Sequence, residues 1–381
     1  MKKFLLLAAT AAMVASATAQ VPCEGTLKLD WKVAKDKLPA VLETRQGFGL
    51  NGKFYIQNKS TKSIEVYDQN GKTNEVLPIG GMNTAISYDD AGNILVGNAA
   101  FPNSWRTDTT NLKIIAADGK SFKDVTIMTD GAVVKGRCDF MGKASGNLLS
   151  EDGGVLWLAG STNTGVVKVP VAEGVIDTDN VFEATVDGAA VTASSSIVVN
   201  AYTDAEGNAK MLYVNRSANP VMLEGDETLT GTAITLPNKS SCNGAFPFTL
   251  GGYNLVAYPT LPNYLDGFAI AEAGAEAAVV SHAAEFTVNP NGFQNNWINV
   301  EPVDALTANV YQYVPGGYMA KYTFTLNKSI TGVDNAVAEK TVAGVKYYNL
   351  AGIESATPFS GVNVKVINYT DGSKKAVKVV K

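Results

Sequence analysis

The stretch Ala85-Ile86-Ser87-Tyr88-Asp89-Asp90-Ala91-Gly92-Asn93-Ile94-Leu95-Val96 decides the fold class. An apolar-rich run of strand length ends in a Gly-containing turn, and a second, wholly apolar run follows it. Asx-Gly punctuation between short apolar runs is the sequence signature of a β-hairpin. The pattern repeats outward in both directions. Gln69-Asn70-Gly71, Asp118-Gly119, Asp152-Gly153-Gly154 and Ala205-Glu206-Gly207-Asn208 are further turns of this type, and helix-period patterns are almost absent.

The hairpins fall into a larger unit of strand, turn, very apolar strand, polar break and third strand. Units begin near Gly47, Ala85, Cys138, Ser195, Ala245 and Trp297, a spacing of roughly 40 to 57 residues that suits propeller blades of four strands. The second strands stand out most: Phe54–Ile56, Ile94–Val96, Leu156–Leu158, Leu212–Val214, Leu255–Ala257 and Val310–Tyr313. Continuous apolar runs fit strands buried on both faces between stacked sheets. The last unit supplies only three strands, Trp297–Val300, Asn309–Tyr313 and Met319–Leu326. The alternating segment Thr26–Val33 is therefore expected to add the fourth, which removes an open edge. The expected fold is all-β: a six-bladed β-propeller over 20–328 closed by its N-terminal strand, then a linker over 329–344 and a small β-module over 345–381. A degenerate seventh blade and a β-sandwich pair are the rival architectures.

The first nineteen residues read as a secretory signal: Lys2 and Lys3, the apolar run Phe4–Val14, and Ala17-Thr18-Ala19 before the cut. The run is shorter than the roughly 20 residues a bilayer-spanning helix needs. Cys23 lacks the preceding residues of a lipoprotein site and reads as an ordinary thiol, with lipidation as the alternative. With three cysteines, not all can pair internally, and no Cys-x-x-Cys pair supports zinc. The expected location is exported, extracellular or on the outer-membrane surface, with the periplasm as the alternative. A net charge of −5 without a basic run argues against nucleic acid.

Several classes of chemistry lack their parts. His282 is the only histidine, lies in an expected outer strand (Val279–Ala283), and has no Gly-x-Ser-x-Gly elbow beside it. Phosphate-cradling glycine loops are missing. No catalytic residue and no metal ligand is assigned. Calcium held by Asp and backbone oxygens in the channel stays open, although no turn has the full alternating oxygen spacing of a calcium loop. Carboxylate pairs for glycoside cleavage are available at the blade entrances, among them Asp89, Asp139, Glu301 and Asp304. With 36 acidic residues such pairs carry little weight by themselves.

Binding has better support. Loops place aromatics beside amides and charges: Trp105 and Arg106, Tyr258 and Tyr264, and Asn296 and Trp297, with Arg137 and Asp139 flanking a blade entrance. Flat rings suit sugar C–H faces, and amides and guanidinium groups satisfy hydroxyls. Packing between blades is the competing role for Tyr258 and Trp297, and an ion pair is the competing role for Arg137 and Asp139. The leading expectation is a non-catalytic binder of a glycan, peptide or protein. A polysaccharide hydrolase or lyase using channel carboxylates and a ligand-free scaffold are the alternatives.

The tail carries a resemblance. Tyr348-Asn349-Leu350-Ala351-Gly352 and Lys378-Val379-Val380-Lys381 resemble the C-terminal sorting domain of Bacteroidetes proteins exported by the type IX (Por) secretion system. In the middle strand Ser360 precedes Gly361, and Asn363 stands where that family usually has an aromatic; Ile353 follows Gly352, where Arg is common. The resemblance covers about the last 40 residues and implies the export machinery as a partner. It is silent on the activity of what is exported. Asp108-Thr109-Thr110 is similar to an O-glycosylation acceptor of such proteins, with a plain loop as the preferred reading.

Overall fold

The structure, a computed structural model, describes residues 23–39, 46–58, 60–61, 63–75, 77, 85–97, 112–126, 134–216, 219–290, 295–327, 342–349, 352–369 and 374–380. The signal-like segment, Trp105, Arg106, the Asp108-Thr109-Thr110 triplet and most of the linker lie outside the described residues. The chain forms two compact units, 1–328 and 329–381.

The larger unit is a β-propeller. Its described regular structure is strands and two short 3-10 turns, Lys35–Lys37 and Thr178–Asn180. The strands gather into six antiparallel packets, four of them separate four-stranded sheets and two, sheets three and four, joined edge to edge in one nine-stranded sheet. Sheet one holds Gly47–Leu50, Lys53–Asn58, Ser63–Asp68 and Gly71–Lys72. Sheet two holds Ala85–Tyr88, Ile94–Gly97, Leu112–Ile115 and Phe122–Val125. Sheet three holds Ser145–Gly146, Gly154–Leu158, Val166–Ala172 and Phe182–Gly188, with the short strand Val175–Ile176 also paired to Val166–Ala172. Sheet four holds Val198–Thr203, Ala209–Val214, Val221–Gly225 and Thr228–Ala233. Sheet five holds Phe246–Leu250, Tyr253–Pro259, Phe268–Glu272 and Val280–His282. Sheet six holds Trp297–Pro302, Thr307–Val314 and Tyr318–Leu326, and its fourth strand is Gly25–Ala34.

The packets close into a ring. The first strand of sheet one touches that of sheet two, sheet four meets sheets three and five, and sheet six meets both sheet five and sheet one. Sheets two and three are bonded directly, with Ala144 N–H donating to Tyr88 O and Asp90 N–H to Gly146 O. The ring is fastened by the N-terminal strand, whose partners run from Gly25 opposite Leu326 to Ala34 opposite Tyr318, with one bulge between Leu29 and Trp31.

The apolar second strands are buried as their sequences require. Phe54, Ile56, Leu95, Val96, Leu156, Leu212, Val214 and Val310 all have essentially no exposed surface, although they point to alternate faces of their sheets. Each such side chain contributes about 1.5–3 kcal/mol on leaving water.

The turns after the first strands also tie neighbouring sheets together. Asp89 accepts the N–H groups of Ala91 and Asn93 at 3.0 and 2.9 Å, the Asn93 amide at 2.8 Å, and Leu148 N–H of sheet three at 2.9 Å. Asp204 repeats this geometry with Glu206 and Asn208, and Ala205 N–H reaches Asn254 of sheet five. The hydrogen bonds from Asn208 and Lys210 hold the Asp204 carboxyl down at about 2, against the pull of desolvation.

Sheet three departs from the sequence reading in two ways. Its first strand is only Ser145–Gly146 rather than a strand beginning near Cys138. The backbone before it is shared between neighbours: Asp139 N–H donates to Ser195 O, and Lys143 O accepts from Ala201 N–H. Gly142 makes that approach possible, since a Cβ there would lie 1.9 Å from Val199 O. The outer strands of sheets three and four also pair in parallel, Thr185 opposite Thr228 through Gly188 opposite Gly231, which fuses the two packets edge to edge.

The smaller unit is one antiparallel sheet in the order Glu354–Ser355, Val342–Tyr348, Val362–Tyr369, Lys374–Val380. Its first strand starts at Val342, inside the expected linker. The Tyr-Asn-Leu-x-Gly pattern has a local cause. The Asn349 side chain accepts Ile353 N–H at 2.9 Å, Gly352 N–H closes onto Asn349 O at 2.9 Å, and Gly352 sits at φ +76°. That left-handed position favours glycine. Asn363 is fully buried and bonds Phe359 N–H, Phe359 O and Gly361 O. It locks the turn into its strand.

Candidate functional site

The propeller axis carries a channel with two parts. Its narrow throat, about 30 Å³, runs between the first strands and is lined by residues of five sheets and of the segment before sheet three, including Gln46, Tyr88, Met141, Asn200, Phe246 and Asn299. It has room for about one water molecule. Its amides are engaged by backbone of other segments around the ring: Gln46 donates to Met141 O at 2.6 Å, Asn200 to Ala245 O at 3.1 Å, and Asn299 to Gly49 O at 2.6 Å. Where the first strands end, the channel widens into an open cavity of about 430 Å³. Its wall comes from Leu50 and Asn51, Tyr88 to Gly92, Lys143, Tyr202 and Thr203, Phe246 to Thr249, and Val300 to Pro302.

The polar groups of this cavity fall into two kinds. Asp89 is spent on the four donors already named. Glu301 accepts Asn51 N–H at 3.0 Å, the Asn309 amide at 3.1 Å and the Tyr311 hydroxyl at 2.8 Å. These two acids, both sequence candidates for a catalytic pair, do line one cavity, but their oxygens hold turns and sheet seams together. Asp90 and Lys143 are the second kind. They form an ion pair at the rim, with Asp90 also accepting Gly146 N–H at 2.7 Å. The Asp90 side chain is 48% exposed and that of Lys143 only 16%.

Six of the eight sequence-assigned binding residues are described, and they sit elsewhere. Tyr258 is wholly buried, and its hydroxyl donates to Pro237 O at 2.9 Å. Asn296 is buried, donating to Leu265 O and Gly267 O and accepting from the Gln312 amide. Trp297 packs edge-on against Phe140, ring centroids 4.8 Å apart, beside the throat. These three are core residues: the aromatics fill the space between sheets, and the amide satisfies buried carbonyls. Arg137 and Asp139 form an ion pair with each other. Tyr264 is half-buried at φ +68° in the connection between the second and third strands of sheet five, at the end of the ring away from the cavity. Of the remaining acids, Asp304 caps its own turn through Leu306 N–H and Thr307 N–H.

Sequence reasoning missed Asp90, Lys143, Tyr202 and Phe248. The signal for the first was present: Asp90 belongs to the quoted Asp89–Asn93 turn, and such turns end the strands nearest the axis. Lys143 gave none, because its segment has no strand pattern.

One cluster outside the channel gathers possible metal ligands. Asp266, His282 and Glu285 each offer an atom within 4.8 Å of the others. The buried Asp266 carboxylate is already filled by Glu285 N–H and Phe286 N–H at 3.0 Å and the Tyr318 hydroxyl at 2.8 Å, and Glu285 pairs with Lys32 at 2.5 Å. Burial pushes the His282 imidazole below its usual range, with Glu285 and Asp266 pulling it upward. Lys32 comes from the N-terminal strand, so this cluster ties the closing strand to sheet five. A calcium ion fits neither place, since it needs six to eight oxygens and most of those present are taken by N–H and O–H donors. The thiols of Cys23, Cys138 and Cys242 are all unbridged.

No family model and no curated protein matches the chain. Among solved structures it is similar to a DUF4623 family protein from Bacteroides eggerthii, at 11% identity over 81% of this chain and 78% of that one, TM-score 0.49. A structural-genomics protein of unknown function from Bacteroides thetaiotaomicron gives 11% identity over 80% and 77%, TM-score 0.49. Regucalcin, a calcium-binding protein from Agrobacterium tumefaciens, gives 11% over 77% and 93%, TM-score 0.45. Likenesses this distant add nothing to the closed ring of sheets, on which the fold assignment rests. Among the described residues no helix is long and apolar enough to cross a membrane.

Proposed function

We propose that this is an exported propeller protein of the cell surface or surroundings that binds a ligand in its axial cavity without transforming it. The six packets are its blades, and the C-terminal unit acts as the export signal that its Tyr348–Gly352 and Lys378–Lys381 motifs resemble. The observation that carries the binding reading is the cavity itself. It is open at one end, narrowed to a water-sized throat at the other, walled by aromatic and aliphatic side chains, and of a size that holds a small ligand or one residue of a larger one. A hydrolase using Asp89 and Glu301 is disfavoured because both carboxylates are committed to structural donors.

The test is a glycan and peptide array probed with the mature chain, Ala91→Trp and Trp105→Ala. Ala91 is exposed at the cavity rim, so an indole there obstructs the entrance without disturbing the core. Binding lost in Ala91→Trp and kept in Trp105→Ala supports the axial site. The reverse pattern moves the site to the Trp105 loop, and cleavage of an arrayed glycan refutes a purely binding role.

A further inference from the structure

We infer that the axial cavity selects an organic cation, a ligand whose protonated amine meets Asp90; the inference rests on the reading of that cavity as the ligand site. Charge is the first reason. Three carboxylates, Asp89, Asp90 and Glu301, face the cavity against a single ammonium, Lys143. A recess with one dominant sign and apolar walls focuses its field, so cations are concentrated there and anions repelled. The walls are the second reason. Tyr202, Phe246 and Phe248 line the same space, and aromatic faces carry the partial negative charge that favours ammonium groups.

Asp90 is the group able to act. A carboxylate offers about four acceptor positions, and at Asp90 one oxygen accepts from Lys143 and the other from Gly146 N–H. The half-exposed side chain keeps about two of those positions for further donors, against none at Asp89 and one at the less exposed Glu301. Lys143 shows what the corner accepts: the protein's own ammonium lies against Asp90 at the cavity wall. A free amine either joins it on the open side of the carboxylate or takes its place. An anionic ligand finds only Lys143, already paired, and meets the repulsion of three acids. The volume of about 430 Å³ admits a monosaccharide or a short diamine.

Amino sugars test the cation separately from the shape. Titration calorimetry of the mature chain with glucosamine, N-acetylglucosamine and glucose holds the ring constant while the charge is removed, and 1,4-diaminobutane supplies the charge without the ring. Glucosamine and the diamine are expected to bind, weakening as salt is added, with N-acetylglucosamine at least about tenfold weaker. Asp90→Asn keeps an acceptor for Gly146 N–H but lowers glucosamine affinity by about tenfold or more, and Lys143→Met, which removes the competing ammonium, raises it by about threefold or more. Equal binding of glucose or N-acetylglucosamine that Ala91→Trp abolishes overturns the cation inference and leaves the cavity reading standing. Silence from all four probes at millimolar concentration overturns the inference; array ligands blocked by Ala91→Trp would still uphold the cavity, and their absence would remove both.

Discussion

Glu183 offers a quantitative test of how the propeller holds its loops. Its carboxylate takes Thr164 N–H at 2.6 Å, Gly165 N–H at 2.9 Å, the Thr164 hydroxyl at 3.1 Å and the Lys135 ammonium at 2.7 Å. Desolvation alone would raise this carboxyl. The donors, led by Lys135 and the Gly165 N–H, outweigh that and bring it from 4.5 down to about 2. At 1.36 kcal/mol per pH unit this corresponds to about 3 kcal/mol of stability. The Lys135 side chain is 51% exposed, so screening reduces the figure to about 1–2 kcal/mol. A carboxyl with a depressed folded-state value stabilises fully above its unfolded value and loses that contribution as pH falls towards the folded one. Glu183→Gln is therefore expected to cost about 1–2 kcal/mol at pH 7. The deficit should shrink between about pH 5 and pH 2 and vanish at the acid end. Urea unfolding followed by tryptophan fluorescence at several pH values measures it. A deficit that stays constant to pH 2.5, or no deficit at pH 7, refutes the reasoning.

Three further outcomes follow from the same structure. Asp89→Ala strands buried donors on two sheets and should destabilise by about 2–4 kcal/mol in the same urea assay; a loss under about 1 kcal/mol contradicts the seam role. Gly142→Ala drives a Cβ into Val199 O and should cost about 2 kcal/mol or more, seen as a lowered melting temperature by calorimetry, and an unchanged melt contradicts the close approach. Cys138 and Cys242 are buried, burial raises the Cys242 thiol, and Cys23 is pushed up to about 11 by burial first and Glu272 second. Thiol titration at pH 8 should accordingly be slow in the native protein and count three groups after denaturation; a count of one would mean that two of them form a disulfide.

Much of the architecture could be read from the residues, because its cause is local. Turns such as Asp89–Asn93 and runs such as Leu212–Val214 encode hairpins and double-sided burial without help from distant parts of the chain. The closing strand was legible for a related reason: a last unit with three strands needs a fourth, and Gly25–Ala34 alternates. The fusion of sheets three and four was not legible, since parallel pairing of Thr185 with Thr228 depends on the tilt of two outer edges. Neither was the short first strand of sheet three, whose backbone bonds are split between two neighbours.

Less of the site was legible. Tyr258, Asn296 and Trp297 have the composition of a sugar-binding loop, yet ring size and amide chemistry serve a packed interior equally well. What separates the two uses is exposure, a property of the assembled ring. The cavity residues come one or a few from each of five sheets and, through Lys143, from the segment before sheet three, so no local stretch of sequence contains the site.

The axial cavity exists only if the ring is closed, and amide hydrogen exchange on the unliganded chain measures closure directly. The amides of Thr26–Val33 that face Tyr318–Leu326 are expected to exchange slowly, with protection matching that of their partner strand. Exchange at unprotected rates along Thr26–Val33, with Tyr318–Leu326 behaving as an open edge, would contradict the closed ring and the cavity built on it.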